Sequence, residues 1–433
     1  PQEGRISARI TTERKGDMDF DLTPPTEEME KFRQEVRSWL EENIAEEMKE
    51  SLDADEFTKE KYWYWREKHK ELAQKGWLNP TYPKEYGGGG LTGAHEAVIV
   101  QEMRRARACP NLSNRRPPET IMVWGTEEQK QKFLAPLLTS QITCWQKLTE
   151  PSSGSDLASY HSTAVRDGDD WVLNGSNVFI SGRGPGPSGG PDYLFGPMLT
   201  DPQAPRHRNL GYFAIPVRGP GVEIRPMNLI VGRDSHFVFL NDVRVPGDHL
   251  IGGDHQGWQV LSTQLEQEHG GDGGGGAALA PDQSVENLIT YARQTKINGR
   301  SLGSDPLVEQ STEEAYIDSH IDKLFSKRAY WIHESGSQLA HEGGLSHLSD
   351  KVSGIRNANR VRDVMGPYGL LGIKDHLAPH GGTQEIQLRR AIALSHLAGS
   401  LNIAKVVLAR RMGISRTQER AAPMRTSGAK AAH

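Results

Sequence analysis

Residues 148–157, Leu-Thr-Glu-Pro-Ser-Ser-Gly-Ser-Asp-Leu, crowd the hydroxyls of Thr149, Ser152, Ser153 and Ser155 around one turn. Pro151 fixes φ and lacks a backbone donor, so regular structure stops before it. Gly154 permits backbone angles that a Cβ forbids. Bare N–H groups beside hydroxyls form an anion-accepting concavity, which would seat a pyrophosphate or the polar edge of a flavin ring. Read alone, the stretch is equally an ordinary polar turn, because T-E-P and S-G-S-D are common turn chemistry.

The flanking residues show what must position this turn. Thr26 followed by Glu27, Glu28 and Glu30 is a helix start with an acidic first turn, and Phe32, Val36 and Leu40 recur on one helical face. Residues 58–76, 94–106 and the run after Thr126 read as further helices. From Ile142 the period changes to short β-prone runs: 163–165, 171–173, 177–180, 193–195, 212–217, 222–224 and 237–239, separated by Gly, Pro, Asp and Asn. That spacing predicts a small barrel or sandwich. From Gly257 helices return. The expected organisation is a loose arm (1–24), a helical domain (25–144), a β domain (145–256), a helical bundle (257–400) and a basic tail (401–433).

A chain of 433 residues exceeds one compact core, so two or three domains are expected. A net charge of −5 argues against nucleic-acid binding, and no apolar run reaches membrane-spanning length. Pro1–Arg5 carry no apolar signal core, and Cys109 and Cys144 give no disulfide framework, so a cytoplasmic location is expected. The histidines show no metal-binding spacing and read as scattered surface residues.

Several blocks, in order, resemble the acyl-CoA dehydrogenase family over roughly residues 26–400. They are the G-W-x-x-P…P-x-x-Y-G-G-x-G loop at 76–90, the G-T-E-E-Q-K helix start at 125–130, T-E-P-x-x-G-S-D at 149–156, and N-D-V-R-V-P at 241–246. The resemblance implies an α+β fold with an N-terminal helical domain, a middle β-barrel or sandwich domain and a C-terminal four-helix bundle. It also implies FAD as cofactor and α,β-desaturation of an acyl-CoA, with the α-proton taken by a Glu and the β-hydride passed to flavin N5. Electrons would go on to an electron-transfer flavoprotein, and fatty acid metabolism is the expected setting. A homotetramer or homodimer is expected, with a hetero-oligomer as the alternative.

By the same resemblance, Leu148 and Thr149 touch the flavin ring, and Gly154 and Ser155 face phosphate and substrate. Phe179-Ile180-Ser181 takes the place of the family's W-I-T, and Thr383 and Glu385 contact flavin. Asn177 replaces a frequent Lys, and Lys147 stands where small residues are usual. The loop that carries a Glu in many relatives has Gly381 there, so the base is assigned to Glu268 of Leu265-Glu-Gln-Glu-His269, with His269 and His380 next in line. Gly381 keeps a backbone N–H for the thioester oxygen. The R-x-x-F-G block reads Thr295-Lys-Ile-Asn-Gly299, and its arginine is missing. Glycines at 270, 271 and 273–276 each cost about 1 kcal/mol inside a helix, so a disturbed helix that widens the acyl pocket is expected. These departures motivate a second reading, a catalytically silent subunit of a hetero-oligomer, and a third, a flavin oxidase or monooxygenase on the same fold.

Overall fold

The computed structural model describes residues 26–49, 53, 56–108, 112–184, 190–270, 282–335, 337–417 and 422–424. The expected arm, Cys109, the glycine run from 271 onward and the end of the basic tail lie outside the described residues.

The N-terminal helices are α1 (Glu27–Asn43), α2 (Lys59–Gln74), α3 (Gly93–Arg105), α4 (Arg116–Trp124), α5 (Glu127–Gln129) and α6 (Ala135–Leu138). Thr26 caps α1 by accepting from the Met29 N–H (3.2 Å), and Val36 and Leu40 are its buried residues. At α5 Thr126 and Gln129 form a reciprocal capping box, which satisfies two donors that a helix start leaves bare. The glycine loop between α2 and α3 is a close backbone crossing: a Cβ on Gly89 would lie 2.2 Å from the Gly76 carbonyl.

The middle of the chain forms one mixed sheet of β1 (Cys144–Gln146), β2 (Thr163–Asp167), β3 (Asp170–Ser181), β4 (Tyr193–Leu199), β5 (Leu210–Pro216), β6 (Val222–Leu229), β7 (Gly232–Pro246) and β8 (Leu250–Ile251). Its order is β6-β7-β3-β2-β4-β5-β8, with β1 parallel to β4. The runs 171–173 and 177–180, separate in sequence pattern, are one strand with two irregularities, between Leu173 and Gly175 and between Asn177 and Ile180. The second puts Phe179 at φ +57°. A bulge re-aims a side chain, and here it turns an aromatic ring outward.

The C-terminal part comprises α7 (Gly257–Glu268), α8 (Gln283–Gln294), the hairpin β9 (Lys296–Ile297) and β10 (Arg300–Ser301), α9 (Pro306–Glu334), α10 (Glu342–Met365), α11 (Thr383–Leu394) and α12 (Leu401–Arg411). Among the described residues no helix is long and apolar enough to cross a membrane.

The three parts meet in one apolar cluster. Phe133, Leu137 and Leu138 from the first, Leu148, Phe195 and Tyr212 from the second, and Val260 and Leu261 from the third pack together. The reading of the histidines as surface residues is corrected here: His69 and His249 are buried. His249 enters the core because its Nδ1–H donates to the Ala214 carbonyl (2.7 Å) and its ring lies edge-on to Phe133.

Glu102 is a buried polar clamp in the N-terminal part. Burial alone would raise its pKa, but Arg37, Arg105 and Arg33 hydrogen-bond the carboxylate and hold it down at about 2. A carboxylate with a depressed folded pKa stabilises the fold above its ordinary value and loses that contribution as pH falls toward 2. Glu102→Gln is therefore expected to cost about 3 kcal/mol in urea unfolding at neutral pH. The gap from wild type should shrink as pH drops below about 4.5. A gap that stays constant with acid contradicts this account.

Candidate active site

The turn after β1 is folded around a carboxylate. Glu150 is buried, and its oxygens accept from the N–H groups of His161 (2.7 Å) and Ser162 (2.6 Å), on the chain returning into β2. Glu150 and Ser153 also exchange backbone bonds of 2.9 and 3.2 Å. With those groups turned inward, the rest of the turn faces out. Among the described residues, the N–H groups of Leu148, Thr149, Gly154 and Ser155 donate to no other group. Gly154 and Ser155 are exposed, while the Leu148 side chain sits in the three-part core and fixes the turn from behind.

The turn is laid against β3. The Thr149 carbonyl accepts from the Val178 N–H (2.9 Å) and from Asn177 Nδ2 (3.1 Å). The next residue, Phe179, lies in the strand irregularity and leaves 54% of its surface exposed. Ile180 is buried, and its carbonyl accepts from His236 Nδ1 (3.1 Å), whose ring stacks on Trp145 at 4.6 Å. Ser181 is exposed. Leu148, Thr149, Phe179, Ile180 and Ser181 thus come together as two adjoining strips of backbone with one open aromatic face.

Glu268 is the last residue of α7, and the structure brings it to this region. Its Oε2 accepts from Gln146 Nε2 (3.2 Å), in the strand that leads into the turn. Gln146 is itself oriented, because Asn114 Nδ2 donates to its Oε1 (3.3 Å). The helix carrying Glu268 is pinned along its length. A Cβ on Gly257 would lie 2.5 Å from the Gly211 carbonyl carbon, Thr263 Oγ1 accepts from Trp124 Nε1 (2.9 Å), and Gln264 is bonded to the Tyr212 hydroxyl. Glu266 makes a bidentate pair with Arg411 (2.8 and 2.6 Å), and both side chains are buried. Arg411, grouped by sequence with the basic tail, therefore turns inward.

Basic groups collect behind Glu268. Burial pushes the His269 imidazole down to about 4, against the opposing pull of the Glu268 charge. His347 is also lowered by burial, and its ring lies 6.0 Å from that of His269. Lys351 is lowered by burial and donates to the carbonyls of Leu397 and Gly399. The Glu268 charge favours the protonated form of all three.

The remaining predicted site residues lie around the start of α11. Gly381 has φ +65°, and a Cβ there would meet open space. The Thr383 hydroxyl oxygen is buried with no hydrogen-bond partner. The Glu385 carboxylate is occupied by Arg389 (2.7 and 3.0 Å), which also reaches the Ile230 carbonyl (3.0 Å) beyond β6. Among the described residues no hydrogen bond joins Gly381, Thr383 or Glu385 to the 148–155 turn.

This geometry can be set beside known proteins. Family models for the N-terminal, middle and C-terminal domains of acyl-CoA dehydrogenase match residues 26–141, 146–243 and 255–413. Acyl-CoA dehydrogenase IpdE1 of Mycobacterium tuberculosis is 32% identical over 79% of this chain and 88% of its own length. The chain belongs to the acyl-CoA dehydrogenase family. FadE29 of the same organism is likewise 32% identical, over 81% of this chain and 87% of its own. Among solved structures, the Tcur3481-Tcur3483 steroid ACAD is similar with a TM-score of 0.76 and 26% identity, covering 93% of this chain and all (100%) of that one. The ChsE4-ChsE5 complex of Mycobacterium tuberculosis shares the fold, with a TM-score of 0.75 at 23% identity over 92% of this chain and 100% of its own.

Membership makes the chain an FAD-dependent oxidoreductase. The residues present fit that cofactor: unspent N–H donors on the turn, an open phenyl face beside them, and a buried Thr383 hydroxyl waiting for a partner. Sequence reasoning missed Gln146 and the Lys351–His347 pair. The pair is signalled only by its spacing of four on one helix. It also passed over Asn298-Gly299, a strong hairpin signal, which turns the altered R-x-x-F-G block into β9–β10.

Thr383→Val tests the cofactor fit. Removing a hydroxyl that has no partner in the protein should leave the unfolding midpoint of the flavin-free protein unchanged or raised. Flavin affinity should weaken about tenfold, the value of one net hydrogen bond. Equal flavin affinity in the two proteins would show that Thr383 faces no ligand.

Proposed function

We propose that this enzyme desaturates an acyl-CoA thioester between its α and β carbons, with Glu268 as the base. The observation that carries the reading is the Glu268 carboxylate at the end of a pinned helix, oriented by Gln146 beside the bare turn of 148–155. Bound FAD supplies the acceptor for the β-hydrogen, which leaves as hydride. Glu268 takes the α-proton onto a carboxylate oxygen. Gln146, whose amide orientation is set by Asn114, keeps that oxygen aimed and donates to the carboxylate. The Gly381 N–H donates to the thioester oxygen and stabilises the charge that builds there. Leu148, Thr149, Phe179, Ile180 and Ser181 hold the ring, Gly154 and Ser155 face phosphate and substrate, and Thr383 and Glu385 complete the cofactor contacts. Glu385 does so as an Arg389 ion pair. An electron-transfer flavoprotein reoxidises the cofactor.

A bulky, fused-ring acyl group is the proposed substrate class. Its support is the relative solved as a steroid ACAD, at 26% identity over nearly the whole chain. A panel of straight-chain and steroid-side-chain CoA thioesters, read by anaerobic flavin bleaching, separates this from a fatty acyl preference.

The two-chain relatives favour a second arrangement, in which this chain works beside a different subunit. Gly381 and the exposed β9–β10 hairpin, where relatives carry functional side chains, are the local features in its favour. A yellow homo-oligomer that bleaches with substrate supports the single-chain enzyme. A colourless one that turns yellow only with a second chain supports the mixed oligomer.

Glu268→Gln is expected to keep flavin bound while substrate-dependent bleaching slows by about 10²–10⁴-fold or more, the usual weight of a general base. An unchanged bleaching rate would remove Glu268 from the role.

A further inference from the structure

Lys147 precedes the turn and is fully buried, at 0% exposure. Its Nζ has two hydrogen-bonding neighbours, the Pro197 carbonyl (3.0 Å) on β4 and the Tyr160 hydroxyl (3.0 Å). The same hydroxyl lies 2.7 Å from Asn177 Nδ2 on β3. The nearby acid, Glu150, is already committed to the N–H groups of His161 and Ser162. Tyr160 and, beyond it, Tyr212 on β5 are the other titratable groups facing this space, and the His161 ring stands outside it, 3.6 Å from Glu150.

Counting hydrogens fixes the direction of the chain. Asn177 Nδ2 has three acceptors within reach, and its two hydrogens go to the nearer pair, the Tyr160 oxygen (2.7 Å) and the Thr149 carbonyl (3.1 Å), rather than to the Leu148 carbonyl at 3.5 Å. Turning the amide over would set Oδ1 against the Thr149 carbonyl, acceptor against acceptor. Tyr160 thus accepts from Asn177, and among the described residues its own proton has one remaining neighbour, Lys147 Nζ. An ammonium has three donors and no lone pair, whereas a neutral amine can accept. A charged Lys147 would leave the Tyr160 proton and one of its own without acceptors, in a site where no carboxylate bonds it.

We infer that Lys147 is held as a neutral amine ending the chain Thr149 carbonyl–Asn177–Tyr160–Lys147–Pro197 carbonyl, and that it acts as a positioning residue whose protonation alters the reduction potential of the flavin on the Thr149 side. Burial pushes Lys147 down to about 7, with Glu150 opposing, so the switch falls near neutrality. A lysine with a lowered folded pKa binds its proton in the unfolded chain and not in the folded one between that value and its ordinary 10.5, so stability rises with pH across that window. Protonation would place a positive charge on the inner side of the Thr149 carbonyl, next to the proposed flavin seat, and raise the flavin potential, so the potential should gain an extra downward step as pH climbs through 7. The potential part rests on the proposed placement of the flavin on the 148–155 turn, and the neutral amine does not.

Lysine-selective ¹³C labelling of the wild-type apoprotein should show one ε-carbon titrating near 7, absent in Lys147→Met. A Lys147 resonance that titrates above about 10, the ordinary lysine range, overturns the inference. The flavin midpoint potential of the holoenzyme should show its extra inflection near pH 7, lost in Lys147→Met and in Lys147→Gln. A normal lysine titration with no inflection refutes both halves. A shifted titration without the inflection keeps the neutral amine and refutes the link to the flavin. Should both variants fail to fold, the wild-type potential curve still decides, because a curve without the step refutes the link.

Discussion

Everything at this site depends on an acid pointing into its own loop. A buried carboxylate is tolerated only when its lone pairs are filled, and Glu150 fills them with two backbone N–H groups from the far end of the turn, at 2.7 and 2.6 Å. That pairing closes residues 150–162 into a ring of chain between β1 and β2. A polar loop left to itself would spend its N–H groups internally. Here one side chain takes up the closure, so the amides at 148, 149, 154 and 155 remain unspent. A recognition surface made of backbone needs such a sacrifice by a side chain, because amides cannot both hold the loop and bind a ligand.

The second constraint is rigidity from three directions. Leu148 is anchored where the N-terminal helices, the sheet and α7 share one core, so the turn cannot move without disturbing all three. From its packed start against Gly211, α7 runs about 18 Å to Glu268, at about 1.5 Å per residue. Thr263, Gln264 and Glu266 each have partners on other elements, which fixes the rotation of the helix as well as its position. Glu268 therefore reaches Gln146 by the register of a clamped rod rather than by a flexible reach. A carboxylate delivered this way keeps one distance from the turn, which is what proton transfer over hydrogen-bond length requires.

The parts of this arrangement that sequence made legible are those built from neighbours in the chain. The Thr26 cap, the Thr126–Gln129 box and the turn after Pro151 are each local chemistry, and each could be read from residue types at short spacing. The long-range partners were not legible. Gln146 and Glu268 lie far apart in sequence, and their meeting depends on a three-residue strand running parallel to β4. The pairing of Glu266 with Arg411 likewise spans most of the C-terminal part, and Arg411 looked like one member of a solvated basic run. β3 reads as two strands in sequence because Asn174-Gly175-Ser176, at the irregularity between Leu173 and Gly175, breaks the alternation that marks a strand, and the second irregularity, between Asn177 and Ile180, holds the exposed Phe179. The blocks shared with relatives named the family, but the contacts that orient the chemistry came only with the fold.

The departures from the family pattern are connected in space. Lys147 and Asn177 differ from the usual residues at positions thirty apart, and Tyr160 joins them in one buried chain under the Thr149 carbonyl. The Thr149 carbonyl takes its side-chain donor from Asn177 Nδ2, while the Lys147 nitrogen lies deeper, beyond the Tyr160 hydroxyl. Two departures that look unrelated along the chain thus meet in one hydrogen-bond network. The departures at 147 and 177 are therefore read together, because the Tyr160 hydroxyl bonds to both side chains.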